Sequence, residues 1–176
     1  MDKIKIPDPI IGKHVNLREV EIDDAEFILS LRTDESKSKF LHKTENDLKK
    51  QIDYLNNYKK LNNEYYFIIE NKVKEPLGTV RLYNIKDNEC TGGSWLMKNG
   101  ASVQEVIEGD LLLQHCVFDI LNLQNNYFDV RKGNNKVINY HKMKGAKEIS
   151  QDEDNLYFVL NKNDFDSLKD YFYGLL

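Results

Sequence analysis

Apolar and polar residues alternate along "GKHVNLREV", with Val15 and Leu17 on one side and His14, Asn16 and Arg18 on the other. That period predicts a half-buried strand. In "EIDDAEFILSLR" the period changes: Phe27, Ile28 and Leu31 form a stripe at helical spacing, with Asp23 as the cap and Glu26 three residues later. "TDESKSKFLHK" has no period and reads as a loop. "TENDLKKQIDYLNNYKKL" returns to helical spacing through Leu48, Ile52, Leu55 and Tyr58, with Thr44 as its cap. Three strands follow, "EYYFIIE", "PLGTVRLYNI" and "CTGGSWLM", separated by the turn-like "NKVKEP" and "KDNE". After the small-residue loop "KNGAS", the stretch "VQEVIEGDLLLQHCVFDIL" places Val106, Leu113, Val117, Ile120 and Leu121 near one helical face. Gly109 lowers its helix propensity by about 1 kcal/mol relative to Ala and suits close approach to a strand.

The strand "NYFDV" then meets a polar turn, "RKGNN", and a short helix, "KVINYHKMK", that stops at Gly145. Gly145 fits the left-handed position after a helix end, and Lys142 and Lys144 stand in the last turn, where the dipole favours cations. "NLYFVLN" is a final strand, and Phe165, Leu168, Tyr171 and Phe172 give the tail a helical stripe. Consecutive strands with tight turns imply antiparallel pairing, and strands flanking a long helix imply a parallel crossover. The class is therefore α/β, a mixed sheet covered by helices. No repeat or linker divides the chain, so residues 1–176 are expected to form one domain.

Composition narrows the function. A hydrophobic fraction of 40% excludes a disordered chain, and a net charge of −4 argues against a general nucleic-acid binder. No apolar run approaches the ~20 residues of a membrane helix, and the N-terminus lacks the apolar centre of a secretory signal, so a cytoplasmic protein is expected. Cys90 and Cys116 fit neither a redox pair nor a zinc site, and the four histidines are scattered; no metal is expected.

The stretch "FDVRKGNNKVINYHKMKGAKE", with "GTVRLYNI" and "GGSWLM" before it, resembles the GCN5-related N-acetyltransferase superfamily, and the resemblance covers nearly the whole chain. Within it, "GSW" and "YHKMKGAK" look most like enzymes that acetylate amino sugars for surface polysaccharides. The resemblance implies a mostly antiparallel sheet of six to seven strands, helices on both faces and a central strand pair that splays apart. It implies acetyl-CoA as co-substrate, a small-molecule amine as acceptor, and no partner among nucleic acids or membranes; a homodimer is compatible with it. Acetylation of a protein N-terminus or a polyamine, and a non-catalytic acyl-CoA-binding module, stand as alternatives.

The resemblance also implies a site. The backbone of Trp95, Leu96 and Met97 would pair with the pantetheine arm, and the pyrophosphate would rest at the start of the long helix, on Ser102, Val103 and Gln104. The superfamily's glycines are missing there: Ser102 and Gln104 stand in their places, beside Gly100 and Ala101. Asn134 and Lys136 add cofactor contacts, with Asn134 also capping its helix. Asp129 is the candidate base, with Glu89 in reserve and a water chain as the alternative; Asp129 paired with Arg131 is its plain structural role. His141 takes the place of the usual acidic Tyr, as an imidazolium or as a neutral N–H donor, and Tyr140 is its rival. One residue turns about 100° on a helix, so only one of the two should face the sulfur. Arg32, Phe40, Arg81 and Tyr83 are candidates for acceptor binding.

Overall fold

A sheet whose middle strand is buried on both faces organises the molecule. The computed structural model describes residues 3–41 and 43–176; Met1 and Asp2, read with the N-terminal segment, and His42, inside the stretch read as a loop, lie outside the described residues. The strands are β1 (Ile10–Ile11), β2 (Val15–Glu19), β3 (Tyr65–Asn71), β4 (Pro76–Lys86), β5 (Glu89–Met97), β6 (Asn125–Arg131), β7 (Lys147–Gln151) and β8 (Asn155–Asn161). Their order in space is β1-β2-β3-β4-β5-β6-β8-β7. Every neighbouring pair is antiparallel except β5–β6.

The helices are α1 (Ala25–Arg32), α2 (Glu35–Ser38), α3 (Leu48–Tyr58), α4 (Val103–His115), α5 (Asn135–Met143) and α6 (Lys162–Tyr173). Alternation along β3 sends Tyr65, Phe67 and Ile69 into a core shared with α4 and α6, and Tyr66 and Ile68 into a second core with Ile28 of α1 and Leu55 of α3. Helices thus cover both faces, as expected. Gly109 of α4 lies over β3: a Cβ there would meet Ile69 Cδ1 at 2.9 Å, which explains a glycine inside a helix. The carboxylate of Glu108 beside it accepts the main-chain N–H groups of Lys13, His14 and Val15 at 2.6, 2.5 and 2.8 Å, tying α4 to the turn before β2.

Several expectations need correction. Among the described residues the sheet has eight strands: the edge strand β1 is only two residues long, Ile10 buried and Ile11 exposed, too short to show a period, and every residue of the edge strand β7 is exposed. The stretch read as a loop contains the one-turn helix α2, capped by Asp34. The cap of α3 is Asp47, whose side chain accepts Lys50 N–H at 3.1 Å, and not Thr44. Before α1, the capping box joins Glu21 and Asp24 through a 3₁₀ turn (Ile22–Asp24), displacing Asp23 and Glu26; Arg18 holds Asp24 with two bonds of 2.8 Å. The long helix changes to a π turn at Cys116–Ile120. Among the described residues no helix is long and apolar enough to cross a membrane, and no group of three metal-binding side chains gathers.

Candidate active site

The parallel pair β5–β6 is joined only at its start. Glu89, Cys90 and Thr91 oppose Asn125, Asn126 and Tyr127, and there the ladder ends, although β5 runs on to Met97 and β6 to Arg131. β6 stays paired with β8 along its whole length, so β5 is the strand that turns away. A bulge marks the turn. Arg81 opposes Gly93 and Thr79 opposes Leu96, so Ser94 and Trp95 together face Val80. Ser94 takes φ +52°, a left-handed conformation that costs a non-glycine residue on the order of 1 kcal/mol. Its carbonyl receives the Thr79 hydroxyl at 2.8 Å.

Between the parted strands opens a cleft of about 820 Å3. Trp95, Leu96 and Met97 form one wall, and Phe128, Asp129 and Val130 the other. Buried main-chain polar groups need partners. The outer half of β5 has none on its β6 side in the sheet ladder, so an amide chain lying in the gap would complete it. Among the described residues, three buried side-chain atoms also lack a partner: Arg81 Nε, Trp95 Nε1 and His141 Nδ1. All three residues line the cleft. The donor set therefore fits an extended, amide-bearing ligand such as the pantetheine arm of an acyl-CoA.

Of the predicted residues, Arg32, Phe40, Arg81, Tyr83, Asn134, Asp129 and His141 reach this cleft with Trp95, Leu96 and Met97. Asp129 projects from β6, exposed, where its charge acts on Tyr83 and on Tyr157 of the neighbouring strand. It is not paired with Arg131, which binds Asp154 at 3.2 Å. Arg81 is fixed by Glu64 at 2.6 Å and lies over the ring of Tyr83, 4.6 Å from its centroid.

His141 and Tyr140 are separated by the helical turn as anticipated. His141 lies 4.3 Å from the Phe128 ring and 5.5 Å from Trp95, within the cleft wall. Tyr140 turns away and donates its hydroxyl to Asp110 at 2.6 Å; burial first, then the Asp110 charge, pushes its pKa well above 10. Burial, reinforced by the Lys144 ammonium, pulls His141 down to about 3 from 6.5, with Asp110 opposing. Of the two forms the sequence left open, this burial favours the neutral ring over the imidazolium near neutral pH.

Other predicted contacts fall elsewhere. Ser102, Val103, Gln104 and Lys136 do not line the cleft. Ser102 caps α4, accepting Glu105 N–H at 3.2 Å while Glu105 accepts Ser102 N–H at 2.7 Å, so Ser102, Val103 and Gln104 do form the start of the long helix. Asn134 occupies the cap position of α5 without a side-chain cap bond. Lys144 leaves the helix dipole and is fully buried on Asp110 at 2.5 Å. Asp110, Gln114 and Asn126, which no sequence reading singled out, also line the cleft. The signal for Asp110 and Gln114 was present in the i, i+4 pair of polar residues set into the apolar run "GDLLLQHCVF".

A scan against protein-family models finds no match, and a search of curated proteins finds none either. Solved structures do match. FdhC, described as a nucleotide-linked sugar GNAT, is 33% identical with a TM-score of 0.83, over 94% of this chain and 95% of its own. A GCN5-related N-acetyltransferase from Brucella melitensis is 14% identical with a TM-score of 0.78, over 95% of this chain and 84% of its own. Spermidine N-acetyltransferase from Vibrio cholerae, solved with CoA and spermine, is 18% identical with a TM-score of 0.76, over 86% and 97%. The last two show the fold alone. With one third identity along nearly the full length of both chains, a sheet parted at β5–β6 and a cleft lined by its unpaired strand edge, this chain belongs to the GCN5-related N-acetyltransferase (GNAT) family and is an N-acetyltransferase.

Proposed function

We propose that the chain transfers an acetyl group from acetyl-CoA to the primary amine of a nucleotide-linked amino sugar. The parting of β5 from β6 after Thr91 and Tyr127 is the observation that carries the acetyl-CoA half of this reading. The acyl arm lies along Trp95, Leu96 and Met97, and Asn134 meets it from the start of α5. In the reaction the amine nitrogen bonds the acetyl carbon, the carbon–sulfur bond breaks, and the thiolate leaves, taking up the second proton that the nitrogen sheds as the amide forms.

Asp129 takes the proton of the incoming ammonium, from the wall facing β5. His141, neutral and walled by Phe128 and Trp95, directs a ring N–H at the departing sulfur rather than passing it an imidazolium proton. The acceptor end favours an anion. Six Arg and Lys side chains line the cleft against four Asp and Glu; Asp110 is offset by Lys144, and Arg81 and Arg131 are offset by Glu64 and Asp154 outside the lining. Arg32, Phe40, Arg81 and Tyr83 stand at this end, suited to a diphosphate and a base or sugar ring. The name of the 33% identical relative, a nucleotide-linked sugar GNAT, supports the same class.

The test is coenzyme A release with a panel of amines. Turnover is expected with a nucleoside diphosphate-linked amino sugar and not with spermidine or a peptide N-terminus. The Asp129→Asn enzyme should lose about 100-fold or more in kcat, in the range of general-base deletions, with a flattened acidic limb of the pH profile. Preference for spermidine would reassign the acceptor. An unchanged profile in Asp129→Asn would leave deprotonation to water.

A further inference from the structure

Beneath the cleft the core holds charges that apolar packing does not need. Lys144 is 0% exposed and Asp110 3%, and their ion pair joins the end of α5 to the middle of α4. Removing two charges from water commonly costs more than their attraction returns, and apolar residues of similar volume usually serve stability as well. The pair continues into a chain of hydrogen bonds. Gln114 Nε2 donates to Asp110 Oδ1 at 3.0 Å, Asn126 Nδ2 donates to Gln114 Oε1 at 3.0 Å, and the Cys90 thiol reaches Asn126 Oδ1 at 3.7 Å.

The two ends of this chain are significant. Asn126 opposes Cys90, one step before the last β5–β6 pair, Thr91–Tyr127. Gly92 comes next, where an added Cβ would lie 3.0 Å from Asn126 Oδ1, so the missing side chain leaves room for the amide at the fork of the strands. At the other end, Lys144 follows His141 by three residues, and its main-chain N–H closes α5 on Tyr140 O at 3.1 Å. Tyr140, pinned to Asp110, also packs on the Trp95 ring at 5.5 Å.

We propose that Asn126, Gln114, Asp110 and Lys144 are positioning residues for acetyl transfer: the buried chain holds the fork of β5 and β6 and the last turn of α5 at one fixed spacing. Its kinetic consequence rests on the acetyltransferase reading above; its structural consequence does not.

Two variants test it, Gln114→Met, which cuts the chain at its centre while keeping volume and ion pair, and the double Asp110→Leu/Lys144→Met. Melting temperature, kcat, KM for acetyl-CoA and the His141 ring resonances of substrate-free protein are measured in each. Both variants are expected to fold at a lowered melting temperature, since buried partners of Gln114 or Asp110 are left unpaired, and to lose about 100-fold in kcat, the size of effect of ångström-scale misplacement, with KM little changed and the His141 resonances displaced. Wild-type kcat and unmoved His141 resonances in Gln114→Met would overturn the proposal. If the double variant does not fold, Gln114→Met decides alone. If wild-type protein turns over no amine, the acceptor reading fails, while the His141 resonances still decide the positioning role.

Discussion

Replacing His141 by alanine is expected to lower kcat about 100-fold, at the modest end of acid–base contributions, while KM for acetyl-CoA stays within a small factor. The ring lines the cleft beside Phe128 and Trp95, whereas on the proposed reading the thioester arm pairs with the main chain of β5, which the substitution leaves intact. Because the ring is neutral far below pH 7, no limb of the wild-type pH–rate profile between pH 5 and 9 belongs to it. The same burial makes the fold acid-sensitive. His141 is held at about 3 in the folded chain against 6.5 when exposed, mainly by burial, with Lys144 adding to and Asp110 opposing the effect. A depressed imidazole favours the folded state fully above pH 6.5, and that contribution is lost as pH falls toward 3. Integrated over the window it amounts to roughly 5 kcal/mol. In His141→Ala the slope of stability against pH across this range should flatten by about one proton, read from denaturant melts at several pH values. Wild-type kcat in the variant would remove His141 from the mechanism.

Glu108→Ala should destabilise the fold by about 3 kcal/mol or more, the range for stripping partners from buried polar groups. Its side chain lies 3% exposed and satisfies three successive N–H groups from Lys13 to Val15. Gly12 leaves the space for it, since a Cβ there would lie 2.7 Å from the Glu108 carboxyl carbon. Urea titration measures the loss. Glu108→Gln keeps one acceptor oxygen and should fall between the two. A loss under about 1 kcal/mol in the alanine variant would mean that water replaces the carboxylate at no great cost.

Much of the fold was legible because period reports burial. β2 alternates since Val15 and Leu17 are fully buried and its other side chains are not, and Ile52, Leu55 and Tyr58 of the α3 stripe face one core, although Leu48 at its start is exposed. β1 escaped notice because two residues are too few for a period, and β7 because an exposed edge strand has no pattern to show. The cleft was legible through Trp95, Asp129 and His141, whose neighbours in sequence are strand and helix residues of fixed direction. Ser102, Val103 and Gln104 stand at the start of the long helix, as their sequence indicated, because Glu105, three residues after Ser102, completes a capping box that begins α4 there. Tyr140 and His141 could not be told apart without knowing which side of α5 meets Asp110. That partner lies 34 positions from Lys144, a pairing that no local period encodes.

Amide hydrogen exchange along β5, with and without saturating acetyl-CoA, tests the cleft most directly. Exchange across Gly93–Met97 should slow markedly when acetyl-CoA is added, while Glu89–Thr91, already paired with β6, changes little. Unaltered exchange in Gly93–Met97 under saturating acetyl-CoA would contradict the assignment of the parted strand edge to the acyl arm.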